Sequence, residues 1–251
     1  MKTLGGSIFI RNGVRYDYNF IESIDCLLEL CDQVAIVDAG STDGTKEMML
    51  DKYSGNSKVK IKCFESELWD TIHGKEKLVY FTDRAIELLD TEWNLYLQAD
   101  EIIGEKSYEW IRKAIEEKQE AFLCRRINLW KSPFLQLNVP QSRMPCSEIV
   151  LRLAKTKFRS YGDAESLQTD TCSHEYIEAI KIWHLGFVRK REVMKDKIIN
   201  MQCGVFNMEH FDEKLNGSDI FQPDRWFSAE DLEPIKEPLP RIIQRWAIER
   251  T

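Results

Sequence analysis

Two acidic positions could do chemistry because of what precedes them. Asp38 closes the apolar run Gln33-Val34-Ala35-Ile36-Val37, and Asp100 with Glu101 follows Trp93-Asn94-Leu95-Tyr96-Leu97 across Gln98-Ala99. Compact apolar runs of this kind read as buried strands. In open parallel sheets, ligands bind beyond the carboxyl ends of such strands. A carboxylate there can accept hydrogen bonds from a nucleobase imide or a ribose hydroxyl, or hold a divalent cation against a diphosphate. Each position also has a plainer reading. Asp-Ala-Gly-Ser favours a turn, and Asp100-Glu101 suits the acidic first turn of a following helix. The dinucleotide fingerprint G-x-G-x-x-G and the P-loop G-x-x-x-x-G-K-[ST] are both missing, which weighs against nicotinamide enzymes and nucleoside triphosphatases.

The elements that must position these residues alternate through the first half. Strands are expected at Ser7–Ile10, Gln33–Asp38, Val59–Phe64 and Trp93–Leu97. Helices are expected at Tyr18–Leu30, from Thr45 to about Tyr53, at Lys75–Leu89 and at Glu105–Lys118. This order predicts an α/β fold with a mostly parallel central sheet flanked by helices. Beyond it, Ala121–Trp130, Ser147–Ala154 and Lys181–Val188 read as strands and Arg191–Val205 as a helix. After Asn207 the chain turns polar and Pro-rich, which reads as a C-terminal extension packed on the core rather than a second domain. Its aromatics Phe221, Trp226, Phe227 and Trp246 are expected to cover that core. The expected division is one domain over residues 1–205 and an extension over 206–251.

Composition bounds the function. With 35 basic and 42 acidic residues the net charge is −7, which argues against wholesale binding to nucleic acid or an anionic membrane but not against a local basic pocket. No apolar run reaches the length needed to span a bilayer, and Met1–Gly6 leads directly into a strand-like run rather than a signal peptide. Seven cysteines without a C-x-x-C pair point to a reduced, cytoplasmic chain, and four scattered histidines speak against a zinc finger.

Taken together, Ile36-Val37-Asp38-Ala39-Gly40-Ser41-Thr42-Asp43-Gly44-Thr45 resembles the V-V-D-x-G-S-T-D-G-T segment of family-2 glycosyltransferases of the GT-A fold. Trp93-Asn94-Leu95-Tyr96-Leu97-Gln98-Ala99-Asp100-Glu101 stands where that family carries W-x-x-x-L-D-A-D-E, with its D-x-D metal motif. Ser160–Ala164 and Trp183–Arg189 resemble later segments of a bacterial subgroup reading Y-L-Q-A-D-E. The resemblance covers roughly residues 5–205. It implies a GT-A type fold, with a nucleotide-sugar half over 1–104, an acceptor half over 105–205 and an acceptor-side extension after them.

The resemblance also implies an activity: transfer of a sugar, with inversion in most members, from a nucleotide diphosphate sugar to a saccharide or lipid-linked saccharide acceptor. The setting would be the cytoplasm, or the inner face of the membrane. Asp38 would bind the nucleobase, with Asp43 near the base or ribose and Asn12 bordering it from the first strand end. Asp100 would hold Mn²⁺ or Mg²⁺, with His184 as a further ligand. One departure bears on this assignment: Gln98 replaces the first Asp of D-x-D, and a neutral amide supplies no second charge, though it can bond to a ribose hydroxyl. The chemistry needs a base for the acceptor hydroxyl, for which Asp163 and Glu165 are the candidates, with Glu175 a third. It also needs positive charge on the leaving diphosphate, from Arg189 or its neighbours Lys190 and Arg191. Gln98 keeps a second reading open, a non-catalytic sugar-nucleotide-binding or assembly protein on the same fold. A nucleotidyltransferase is a third, disfavoured because no glycine-rich, Arg-containing loop follows the first strand.

Overall fold

In the computed structural model, residues 2–143, 146–168, 174–206 and 227–250 are described. The centre is β1 (Leu4–Ile10), buried along almost its whole length. It pairs in parallel with β2 (Gln33–Asp38) on one side and β4 (Trp93–Tyr96) on the other, and β3 (Val59–Cys63) extends the β2 side. Parallel neighbours need long crossovers. Here α1 (Phe20–Leu30) and α2 (Thr45–Tyr53) are the crossovers up to β3, and α3 (Ser66–Thr71) and α4 (Glu76–Glu87) carry the chain back across β1. Helix α1 forms because Phe20, Ile24, Leu27 and Leu30 recur at helical spacing, and all four are buried in the core.

Past β4 the topology changes. The short strand β5 (Glu101–Ile103) leads through a 3₁₀ turn into α5 (Tyr108–Ala114). There follow β6 (Ala121–Trp130), β7 (Ser132–Leu137), β8 (Ile149–Lys155), a small hairpin of β9 (Ser160–Tyr161) and β10 (Ser166–Leu167), and the long β11 (His174–Phe187). Helix α6 (Arg191–Ile199) runs on into a π-helical turn, Asn200–Val205. After residue 226 come β12 (Leu232–Pro234) and α7 (Arg241–Ile248).

The main sheet has ten strands, and its principal path reads β12-β7-β6-β8-β4-β1-β2-β3. Among the described residues, four of its ladders are parallel and five are antiparallel. The mostly parallel sheet of GT-A type expected from the sequence is therefore corrected to a mixed sheet. The physical reason lies in the connections. Helical crossovers enforce parallel pairing only as far as β4, whereas β6 and β7 are joined through Lys131 alone and turn back on each other. Strand β8 then enters antiparallel between β4 and β6.

Strand β11 is longer than the expected Lys181–Val188. Its first half, His174–Ala179, is polar and mostly exposed, so its sequence carries no burial signal. It pairs in parallel with β6 and antiparallel with β5, and its register slips between His184 and Phe187. Helix α7 places Ile242, Ile243, Trp246 and Ala247 in the same core as α1, and β12 pairs with β7. Phe227 packs on Trp130 at 4.7 Å, while Phe221, Trp226 and Cys172 lie outside the described residues.

Because Ile243 is fully buried beside α1, Ile243→Ala should destabilise the whole domain by about 2–5 kcal/mol. The expected observation is a single urea transition, shifted to lower concentration with an unchanged slope. An early, separate transition would show instead that α7 melts apart from the sheet.

Candidate functional site

The chain runs β1, β2, β3 in one direction along the sheet and then crosses to place β4 on the other side of β1. The carboxyl ends of β1 and β4 thus form the topological switch point, where an α/β sheet opens a crevice. A cavity of about 350 Å³ lies there, a size typical of small-molecule sites. Phe9 of β1 with Arg11 just past its end, and Tyr96 of β4 with Gln98, Ala99 and Asp100 of the turn that follows, line it from the sheet. Arg126, Asp163, Glu165 and His184 line it from the second half, and Met194, Lys197 and Ile198 of α6 cover it.

Asp38 is on the other side of β1. It is fully buried, and its carboxylate accepts the backbone N–H groups of Gly40 (3.1 Å) and Ser41 (3.1 Å), closing a tight turn. Burial pushes its pKa up, although those N–H groups oppose the shift. Gly40 has φ +78°, and a Cβ there would lie 2.6 Å from the Ser66 backbone, so the turn requires glycine. Asn12, at φ 51°, accepts the Thr42 N–H through Oδ1 (2.9 Å), and its own N–H donates to Ser41 Oγ (2.9 Å). Asp43 accepts the Thr45 N–H and hydroxyl at the start of α2 and the Arg15 N–H (2.6 Å) from the β1 loop.

These three residues lock the β1 and β2 loops together, and none of them lines the cavity. Their link to it is Arg11. Its guanidinium donates to the carbonyls of Ala39 and Gly40, lies over Trp69, and forms part of the cavity wall.

Asp100 sits at the centre. Its Oδ2 accepts from Lys197 Nζ at 2.9 Å and from Arg189 at 3.4 Å. Burial would raise its pKa, but the positive charge of Lys197, reinforced by Arg189, holds the carboxyl far below the usual range. Arg189 is fully buried beneath Asp100, donates also to the Tyr16 and Leu185 carbonyls, and lies over the Tyr18 ring.

His184 Nε2 stands 3.8 Å from the other oxygen of Asp100. Its Nδ1 is 2.9 Å from Asn128 Oδ1, which assigns that nitrogen the proton and leaves Nε2 its lone pair. Burial lowers its pKa to about 4. The imidazole rests on Gly186, where a Cβ would approach Nε2 to 2.2 Å, so the bulge in β11 and its glycine together aim the ring.

One ion at about 2.1 Å from each ligand could bridge Asp100 and His184. The rest of the donor set does not fit a divalent metal. Gln98 offers an amide, and two protein cations already occupy the same carboxylate. Among the described residues no group of three or more His, Cys, Asp or Glu side chains is gathered to hold an ion.

Glu101, next in sequence, is built in a different way. It is fully buried and accepts a bidentate pair from Arg152 (2.8 Å and 2.8 Å), a bond from Arg126 (3.3 Å) and the Gln98 N–H (3.1 Å). Burial would raise its pKa, but the two guanidinium groups outweigh it and hold the carboxyl down to about 2. Arg126 also binds Glu165, which accepts the Ser147 N–H as well. Burial notwithstanding, Arg126 keeps Glu165 below the ordinary glutamate range, so Glu165 is a weak proton acceptor.

Asp163 has a different setting. It sits in the four-residue turn between β9 and β10, where Gly162 and Ala164 both take positive φ, and its Oδ1 accepts the Glu165 N–H at 3.2 Å. It lines both the cavity and an adjoining groove of about 410 Å³ that is rimmed by Lys75, Ser147 and Tyr161. Glu175 is hydrogen-bonded to Gln119 at the start of β11 and does not reach the cavity. Lys190 is the cap of α6 and lines a separate groove.

Arg126, Arg152, Asn128 and Lys197 were not among the sequence candidates. A signal did exist for the arginines: each interrupts an apolar strand run, Cys124-Arg125-Arg126-Ile127 and Leu151-Arg152-Leu153. A charge inside such a run implies a buried partner. Lys197 carried no such mark, being one of several charges on a polar helix.

Neither a protein-family model nor a curated protein sequence matches this chain. Among solved structures it is similar to S. aureus TarS 1-349, with 14% sequence identity and a TM-score of 0.49, over 92% of this chain and 74% of that one. The same TarS segment in complex with UDP matches at 14% identity and a TM-score of 0.45, covering 90% and 78%. In complex with UDP-GlcNAc it matches at 14% and 0.44, covering 86% and 76%.

The buried network makes two predictions. Arg152→Met leaves Glu101 short of its bidentate partner and should cost about 3–5 kcal/mol, read as a lowered denaturant midpoint at pH 7. The depressed pKa of Glu101 makes its stabilisation complete above about pH 4.5 and lost as pH falls toward about 2, some ~3 kcal/mol over that window. Glu101→Gln should therefore lower stability at pH 7 yet flatten the loss of stability between pH 5 and pH 3. An unchanged pH profile in that variant would show that other carboxylates govern acid unfolding.

Proposed function

We propose that this chain transfers a glycosyl unit from a nucleotide diphosphate sugar to a saccharide-type acceptor, with inversion. The observation that carries this reading is the position of Asp163, on the wall shared by the switch-point cavity and the groove beside it. The donor belongs in the cavity, walled by the Arg11 guanidinium, the Gln98 amide and the aromatic faces of Phe9, Tyr18 and Tyr96. The acceptor belongs in the groove, so that its hydroxyl reaches the anomeric carbon past Asp163. The other two carboxylates lining the cavity are committed to cations, Asp100 to Lys197 and Glu165 to Arg126. That leaves Asp163 as the base that takes the acceptor proton while the bond to the diphosphate breaks. With Asp163 taken as the base, no second uncommitted carboxylate lines the cavity among the described residues to act as nucleophile, which favours a single displacement, hence inversion. The two motifs noted in the sequence agree with this reading, because β2, β1 and β4 lie side by side and bring both turns to one edge.

The test is a panel of UDP-, GDP- and dTDP-sugars, scored for binding and for transfer or slow hydrolysis. One donor should bind and turn over, and Asp163→Asn should bind it as well while turning it over at least about 100-fold more slowly. Binding with no turnover by the unmodified protein on any acceptor would favour the non-catalytic reading, and full activity in Asp163→Asn would remove Asp163 from the chemistry.

A further inference from the structure

We propose that the donor diphosphate is held by the ammonium of Lys197, standing on Asp100 where a divalent ion would otherwise bridge them, so that this site works without a metal. The inference rests on the reading of the cavity as a nucleotide-sugar site. A carboxylate and a diphosphate repel each other, and a site that brings them together needs positive charge between them. Here that charge is part of the chain. Lys197 Nζ lies 2.9 Å from Asp100 Oδ2 and 3.3 Å from the Gly186 carbonyl. An ammonium has three N–H donors, so among the described residues one is left without an oxygen partner. The side chain is 17% exposed, and what it lines is the cavity.

The surroundings support this substitution. Arg189, buried below the same carboxylate, leaves the Asp100 cluster with an excess of positive charge, which favours an anionic ligand over a further cation. A divalent ion on the other Asp100 oxygen, facing His184, would stand beside the Lys197 ammonium on the same carboxylate and be repelled by it, and Lys197 is held there with its Nζ over the Tyr18 ring and its neighbours Met194 and Ile198 packed. Gln98 fits the same account. A second carboxylate strengthens the hold on a metal ion, and is unfavourable when a lysine alone faces the phosphate. Lys197 is also the one cavity-lining cation contributed by the covering helix α6, so seating a diphosphate would tie that helix to the strand ends.

The experiment is calorimetric titration of the EDTA-treated protein with UDP, GDP and dTDP, repeated with added Mn²⁺, together with the matching nucleosides. One diphosphate should bind the metal-free protein, and Mn²⁺ should change its affinity less than about threefold. Lys197→Met should weaken that diphosphate by about tenfold or more in EDTA while leaving the nucleoside affinity unchanged, and Lys197→Arg should retain most of it. Binding that appears only with Mn²⁺ overturns the inference and leaves the proposed function standing. Equal diphosphate affinity in Lys197→Met overturns it as well. Failure of every diphosphate under both conditions overturns the nucleotide-sugar reading itself. The wild-type comparison with and without Mn²⁺ decides the question even where a variant does not fold.

Discussion

Glu101 and its two arginines form the interaction on which the site depends. A carboxylate with no solvent exposure is tolerated only when its charge and lone pairs are matched, and here Arg152 and Arg126 match them from β8 and β6. The consequences reach outward along both arginines. Arg126 continues to Glu165 and to the Ser147 carbonyl, while Arg152 donates to the Glu165 carbonyl and lies over Tyr96. The turn carrying Gln98 and Asp100, the loop carrying Asp163, and two antiparallel strands are thereby fixed to one buried anion. A hydrophobic residue at position 101 would pack there, but it would hold none of these pieces in register.

Asp100, adjacent in sequence, has a different setting. Glu101 faces inward, is saturated by guanidinium groups and does not line the cavity. Asp100 faces the cavity with one oxygen on Lys197 and the other opposite the His184 imidazole. The short strand β5 makes this division possible. Its antiparallel pairing sets Glu101 against His184 and Ile102 against Trp183, so successive side chains point to opposite faces. The β11 bulge then turns His184 over Gly186 toward the cavity. The saturated carboxylate and the cavity-facing one are thus neighbours in sequence, Glu101 opening β5 and Asp100 in the turn before it.

The mixed sheet matters for the same reason. A purely parallel sheet would place a helix over each face and leave the crevice walled only by loops. Here β6, β8 and β11 run beside the switch point; from these strands Arg126 and His184 line the cavity, while Arg152 holds Glu101 behind it. The cavity is covered by α6, whose apolar residues Met194 and Ile198 pack inward while Lys197 reaches the strand ends.

What the sequence determined by itself was local. Periodicity located α1, α4 and the parallel strands β1 to β4, because burial on one or both faces leaves a direct imprint on residue order. The turn at Asp38–Gly44 was equally legible, since Asp, Gly and Ser satisfy backbone groups a few residues away. The placement of Asp100 at a strand end followed from the same rule. Tertiary structure decided everything that depends on residues far apart in the chain. Strand direction beyond β4 depends on how each connection turns, which composition does not encode. Whether Asp38 or Arg11 faces the cavity depends on which side of β1 the chain crosses to. The partners of Asp100 and Glu101 come from positions 126, 152, 189 and 197, and an ion pair has no sequence period, so only the folded chain shows which charges meet.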